Sequence, residues 1–185
     1  MTVAAIILAA GAGSRFDGDG HKLRADFRGR PVCTWVFDAV ATASFNQVYV
    51  VTGAVDLSDL VPAEFAIVHA DDWADGQAHT IQAGLRRAEA DGHRAVVIGL
   101  ADQPLVPASA WRSVGASMGD IVVATFDGQR RPPVKFERSA WPLLPTSGDE
   151  GARSVLRTHR ERVSEVACTG NPIDIDTQKD LAQWS

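Results

Sequence analysis

At 185 residues, 45% hydrophobic and 22% charged, the chain is able to bury one sizeable core, and no linker-like tract divides it, so residues 1–185 read as one domain. Its formal net charge of −5, with the basic residues scattered, argues against a nucleic-acid surface as the main partner but leaves room for a small anion held by local cations. Cys33 and Cys168 lie far apart and form no C-x-x-C unit, which argues against a disulfide framework or a cysteine zinc site and fits a reducing cytoplasm.

In chain order, VAAIILA (3–9) comes first. It lacks the positive flank of a signal peptide, is too short to span a bilayer, and reads as a buried strand. PVCTWVFDAVATA (31–43), with Pro31 in its first turn, has helical spacing. The strands QVYVVTG (47–53) and FAIVHA (65–70) precede a helix, QAHTIQAGLRRAEAD (77–91), closed by Gly92. AVVIGLA (95–101), the helix PASAWRSVGASM (107–118) and DIVVATF (120–126) follow. The strand-length runs are rich in β-branched residues without clean polar alternation, which predicts strands buried on both faces. Strand and helix alternating in this way predict an α/β fold: a mostly parallel sheet with helices on both faces and right-handed crossovers. No internal repeat or low-complexity segment interrupts the pattern.

In such a sheet ligands bind at the carboxyl ends of the strands, and LAAGAGSR (8–15) stands at such an end. Gly11 and Gly13 let the backbone approach a phosphate, while exposed N–H groups, Ser14 and Arg15 can bind its oxygens and Lys22 can add a charge. An ordinary glycine-rich turn would look the same. Two familiar phosphate loops do not fit. GAGSRF has Phe16 where a dinucleotide fingerprint needs its third small residue, and no Gly-Lys-Ser/Thr follows as in a Walker loop.

Two acidic stretches complete the pattern. In GLADQPLV (99–106), Asp102 ends a strand and is suited either to Mg²⁺ or to a helix or turn cap. In PIDIDTQKDL (172–181), Asp174 and Asp176 alternate on a short strand leading into the last helix, with Thr177 and Asp180 placed for capping. Period two sets both carboxylates on one face, as metal ligands or, for Asp176, as a cap.

LAAGAGSR with Lys22, GQAHTIQAGL, GLADQPLV, RRPPVKF, GDEGAR and DIDTQKDL together resemble, in order and spacing, the MobA-like nucleotidyltransferases, and especially the molybdenum cofactor cytidylyltransferases. The resemblance covers nearly the whole chain. It implies a three-layer Rossmann-like sheet of the glycosyltransferase A type, Mg²⁺, and transfer of CMP from CTP to the phosphate of molybdopterin, with a molybdoenzyme as a possible recipient and neither nucleic acid nor membrane as partner. On the matching positions, Leu8, Ala9, Ala10, Gly11, Ala12, Gly13 and Ser14 would wrap the nucleotide, with Arg15 and Lys22 countering its charge. Thr80 would sit near the nucleotide and Gly84 would permit close packing within the nucleotide-binding set. Asp102 would bind metal with Asp174 or Asp176, and Pro133, Asp149 and Arg153 would line the acceptor side. Asp149 suits a helix cap equally well.

One spacing departs from the family. RFDGDGHK places Lys22 two residues late and adds Asp17, Asp19 and His21. The added carboxylates repel a phosphate unless neutralised, so Arg15→Ala is expected to lose more rate than Lys22→Ala. His21 and His79 read as surface or packing residues. The reaction needs little general-base help and, with no Ser-His-Asp arrangement or activated Cys, proceeds without a covalent intermediate. Alternatives from the same residues are a nucleotidyltransferase for a sugar phosphate or phospholactate, and a noncatalytic chaperone carrying nucleotide or cofactor to a molybdoenzyme. Retention of the acidic residues counts against the last.

Overall fold

A computed structural model describes residues 2–17 and 20–185. Its centre is strand β1 (Val3–Ala9), whose alternation sends Ala5, Ile7 and Ala9 to one face of the sheet and Ala4, Ile6 and Leu8 to the other. Such a strand needs apolar cover on both sides. Helix α1 (Val32–Ala43) supplies one cover through Cys33, Val36, Phe37 and Val40, spaced for a single helical face. Helix α2 (Gln77–Ala90) supplies the other through Ile81, Leu85 and Ala88. Gly84 lets α2 settle closely, since a Cβ there would lie 2.9 Å from Ile6 Cγ2 and 3.1 Å from Val51 Cγ2.

A hairpin of β2 (Asp26–Phe27) and β3 (Arg30–Pro31) precedes α1. Strands β4 (Gln47–Thr52), β5 (Ala66–His69) and β6 (Ala95–Leu100) join β1 in parallel. After α3 (Ala108–Ala116), β7 (Ile121–Phe126) turns into β8 (Gln129–Glu137), which runs antiparallel between β6 and β7. Helix α4 (Ala152–Thr158), β9 (Val163–Ala167) and helix α5 (Gln178–Trp184) close the chain. The sheet order is β5-β4-β1-β6-β8-β7-β9, with β8 its one antiparallel strand, so the mostly parallel Rossmann-like sheet with helices on both faces stands. Among the described residues no helix is long and apolar enough to cross a membrane.

Three details differ from the sequence expectations. Strand β5 is an edge strand rather than one buried on both faces, and Ile67 on it is 42% exposed. Residues 171–176 form no strand; the segment is held to the loop after β6 by Asn171 N donating to Leu105 O at 3.3 Å and Ile175 N donating to Asp102 O at 2.9 Å. Strand β8 was unexpected because QRRPPVKFE carries no apolar run. Its register with β7 shifts between Val123 and Ala124, opposite Pro132 and Pro133, which cannot donate to the ladder.

Candidate active site

The loops after β1 and β6 open into a cavity of about 640 Å³. Residues 8–15 line it continuously, together with Lys22, Thr80, Asp102, Asp174 and Asp176. Of the two loop glycines only Gly13 has positive φ, +64°, and it permits the turn in which Phe16 N donates to Gly13 O at 2.9 Å. Gly11 faces open space, since a Cβ there would meet nothing within 4 Å. Ala10 is 2% exposed, and its carbonyl accepts from Ala54 N at 3.0 Å, anchoring the loop to the chain beyond β4. His21 also holds this loop: its Nε2 lies 2.9 Å from Gly11 O, and its Nδ1 accepts from Leu23 N at 3.2 Å. Burial lowers the pKa of that ring, which favours the neutral form such bonding needs.

Charges converge below the loop. Lys22 Nζ lies 2.5 Å from Asp102 Oδ2 and 2.7 Å from Asp176 Oδ1, and Arg15 reaches Asp176 Oδ2 at 2.9 Å. The late spacing of Lys22 therefore does not keep it from the centre; its side chain is 12% exposed, whereas that of Arg15 is 74% exposed. Burial disfavours the charge on Lys22, but Asp102 and Asp176 outweigh this and raise its pKa. The added Asp17 is exposed, and Asp19 lies outside the described residues.

Asp174 and Asp176 reach the cavity together although they stand on no strand. Ile175 between them is fully buried against Phe27 and Val32, so its two neighbours turn outward to the cavity. Asp174 Oδ1 accepts from Gln103 Nε2 at 2.9 Å, and desolvation, reinforced by the charge of Asp102, raises its pKa. Asp176 does not cap a helix. Thr177 is the N-cap of α5 in a capping box with Asp180, and Asp180 Oδ2 accepts from Asp176 N at 3.2 Å and Thr177 N at 2.9 Å.

Asp149 and Arg153 line the same cavity from the loop before α4 and from α4 itself. Asp149 caps α2: its Oδ1 accepts from Gln77 N at 3.3 Å. Gly76, with φ +121°, makes room for this, because a Cβ there would lie 2.8 Å from both Asp149 Oδ1 and Gly148 O. Two assignments are corrected. Gly84 gives the close packing expected of it, seating α2 on Ile6 and Val51, but it is not part of the cavity lining. Pro133 lines neither this cavity nor the smaller one adjoining it, being buried at the irregular part of β8, while Pro132 and Val134 beside it line the smaller one. His79 is bound to Asp72, Nδ1 to Oδ2 at 2.8 Å, outside the cavity lining.

Sequence reasoning missed Trp73, Gln77 and Gln103. Trp73 lines the cavity with its ring laid on Gly53, where a Cβ would come within 2.5 Å of Trp73 Cγ. An aromatic three residues before Gly76 was the available signal.

The donor set fits a hard cation. Asp102 Oδ1 is buried with no hydrogen-bond partner, an acceptor left over after Lys22 has satisfied Oδ2. Among the described residues no three His, Cys, Asp or Glu side chains stand together at ligating spacing, so the protein offers a carboxylate pair at most.

A parallel α/β sheet with a glycine loop, paired cations and paired carboxylates at its carboxyl edge defines a protein of the nucleotide-binding class. Residues 5–163 match the MobA-like NTP transferase domain, and the chain belongs to that family of nucleotidyltransferases. It is 33% identical over 114 residues to the purine catabolism protein PucB of Bacillus subtilis, covering 59% of this chain and 56% of PucB. It is 31% identical over 195 residues to the bifunctional protein GlmU of Sinorhizobium medicae, covering 97% of this chain and 40% of GlmU. The chain thus spans little more than half of one curated relative and less than half of the other. Among solved structures, Rv0371c from Mycobacterium tuberculosis superposes with a TM-score of 0.83 at 26% identity, over 100% of this chain and 97% of that one. The same protein in complex with manganese gives 0.79 at 23% identity, over 100% and 98%.

Proposed function

We propose that this chain transfers CMP from CTP to the phosphate of molybdopterin and releases pyrophosphate. The observation that carries the reading is the meeting of Lys22, Arg15, Asp102 and Asp176 beneath one glycine loop, in a cavity large enough for a nucleotide and a second molecule. Backbone N–H groups of residues 10–14 receive the triphosphate, and Lys22 and Arg15 turn from the carboxylates to its oxygens. Asp102 with Asp176 would hold Mg²⁺, because Lys22 already marks a cation position between them; Asp174, with its raised pKa and its bond to Gln103, is the poorer ligand. The manganese complex of Rv0371c supports a divalent cation. Bound there, the metal would neutralise charge on the phosphates.

An oxygen of the acceptor phosphate attacks the α-phosphorus, the bond to the β-phosphate oxygen breaks, and pyrophosphate departs with the electron pair. The attacking oxygen is already anionic at neutral pH, so positioning and electrostatics suffice. Cys33 offers no competing nucleophile: it is fully buried away from the cavity, and desolvation pushes its thiol up to about 12. The acidic pair, retained at the centre, weighs against a noncatalytic carrier. Ala10 on the cavity wall supports CTP over GTP, since the related guanylyltransferases resembled by this loop carry glycine there. The test is pyrophosphate release from each of the four ribonucleoside triphosphates with molybdopterin, a sugar 1-phosphate and phospholactate. CTP with molybdopterin is expected to give the highest kcat/KM; no release with any pair would overturn the reading.

A further inference from the structure

The stretch that delays Lys22 by two residues also brings His21 against the phosphate loop. Its ring joins two segments. Nε2 lies 2.9 Å from Gly11 O, and Nδ1 accepts from Leu23 N at 3.2 Å as the N-cap of the short 3-10 turn Lys22–Arg24. A ring nitrogen that accepts carries no proton, so the proton of the neutral imidazole is on Nε2 and is donated to Gly11 O. Gly13 leaves room for this ring, because a Cβ there would stand 3.2 Å from His21 Nε2 and 3.3 Å from Lys22 Cγ. Leu23, 3% exposed, lies in the core that α1 covers, so the turn bearing Lys22 is itself a fixed anchor.

Three carbonyls of the loop are engaged: Ala10 O by Ala54 N at 3.0 Å, Gly13 O by Phe16 N at 2.9 Å, and Gly11 O by His21. The peptides of this loop are trans. In a trans peptide the N–H of the next residue points opposite to the carbonyl. Holding these carbonyls therefore directs the N–H groups of Gly11, Ala12 and Ser14 the other way. None of the three donates to an acceptor among the described residues. Ala12 lines the cavity and His21 does not, so the Ala12 N–H turns from the imidazole toward the cavity. Successive free donors on one short loop make a nest for an anion. Two of its three pins are backbone bonds, and the third is the His21 side chain.

We propose that His21 is a positioning residue of the phosphate site: its Nε2–H fixes the Gly11 carbonyl, turns the Ala12 N–H toward a polyphosphate, and ties the loop to the turn that carries Lys22. A cap with a merely structural role would need the Nδ1 bond alone. The proposal rests on the nucleotidyl-transfer reading only in taking a polyphosphate as the ligand of the loop.

Two replacements separate the bonds. Asparagine places an oxygen where Nδ1 lies and is among the strongest N-caps, but it ends short of Gly11 O. Glutamine places an amide N–H where Nε2 lies and does not reproduce the cap. Binding of CTP with Mg²⁺, and of inorganic tripolyphosphate, is measured by calorimetry on the wild type, His21→Asn and His21→Gln. Affinity for both probes is expected to fall about fivefold or more in His21→Asn, the worth of one net hydrogen bond, with the binding stoichiometry kept, and to be largely restored in His21→Gln. Damage to the fold reads differently: it lowers the stoichiometry and leaves the Kd of the remaining sites unchanged. Wild-type affinity in His21→Asn, affinity in His21→Gln as weak as in His21→Asn, or a falling stoichiometry at constant Kd in either variant overturns the proposal while nucleotidyl transfer stands. The expected order with tripolyphosphate but no binding of CTP supports the proposal and removes the cytidylyl choice. Failure of the wild type to bind either probe brings down both.

Discussion

Lys22 Nζ and Asp102 Oδ2 are 2.5 Å apart, and the pair joins the loop after β1 to the end of β6 across 80 residues of sequence. Because Lys22 is nearly buried and central while Arg15 is largely exposed and touches only Asp176, Lys22→Met should cost more rate than Arg15→Ala. This reverses the order expected from the loop spacing. A loss in kcat/KM of about 10²-fold or more is expected for Lys22→Met, the scale on which a preorganised charge at a developing anion acts. Equal losses would return Lys22 to a peripheral role.

The same pair sets a pH dependence. Lys22 has a raised pKa in the folded protein, so its ion pairs contribute fully below the unfolded lysine value of about 10.4 and are lost as pH climbs through the raised value. The difference in Tm between the wild type and Lys22→Met should stay flat through neutral pH and shrink only above roughly pH 10. A difference that shrinks on acidification through neutrality would contradict this assignment.

Asp102→Asn keeps the shape and removes the charge. Turnover should fall by about 10²-fold or more, with Tm nearly unchanged because Lys22 retains Asp176. Mn²⁺ binding in the presence of CTP, read by electron paramagnetic resonance, should weaken at least about tenfold if Asp102 is a ligand. Unaltered Mn²⁺ affinity would limit Asp102 to holding Lys22.

At Gly84 two effects oppose each other. Alanine improves helix propensity by about 1 kcal/mol, but its Cβ would stand 2.9 Å from Ile6 Cγ2, and overpacking a core typically costs about 1–3 kcal/mol. Gly84→Ala should therefore lower the urea midpoint. A raised midpoint would show that α2 has room to move off the sheet.

Asp180 holds the backbone of Asp176 and Thr177 through a single oxygen. Asp180→Ala should loosen α5 by about 1 kcal/mol, the usual worth of a cap, and raise KM for the triphosphate more than it lowers kcat. Thr177 keeps the Asp180 carboxyl below the ordinary carboxylate range. That contribution is complete above about pH 4 and is lost as pH falls beneath it. A kcat loss with unchanged KM would separate Asp180 from nucleotide binding.

Ala10 puts the base preference to the test. One methyl on a rigid wall is worth roughly 1–3 kcal/mol in a tight site, which favours the smaller pyrimidine by about ten to a few hundred fold. CTP should outperform GTP, and Ala10→Gly should narrow the ratio of their kcat/KM values. Equal use of GTP by the parent protein would refute the cytidylyl choice and leave nucleotidyl transfer standing.

Local pattern made part of this site legible. Apolar runs at strand length marked β1, β4, β6 and β7, a glycine-rich stretch directly after β1 marked the phosphate loop, and an aspartate ending β6 marked the acidic pole, because each feature is confined to a few consecutive residues. Strand β8 escaped notice for the opposite reason: its Lys135 is buried through a partner elsewhere, Ser117 O at 2.9 Å, together with Glu137 on the same strand at 2.7 Å, which no run of hydropathy reveals. Asp149 reads as a possible cap in sequence, but the helix it caps begins 72 residues earlier, at Gln77. Asp174 and Asp176 reach the cavity through the burial of Ile175 rather than through a strand. Residue type and short spacing determined which chemistry the chain carries. Which charges face one another was decided by long-range packing, since a carboxylate or guanidinium acts on whatever the fold sets within a few ångströms of it.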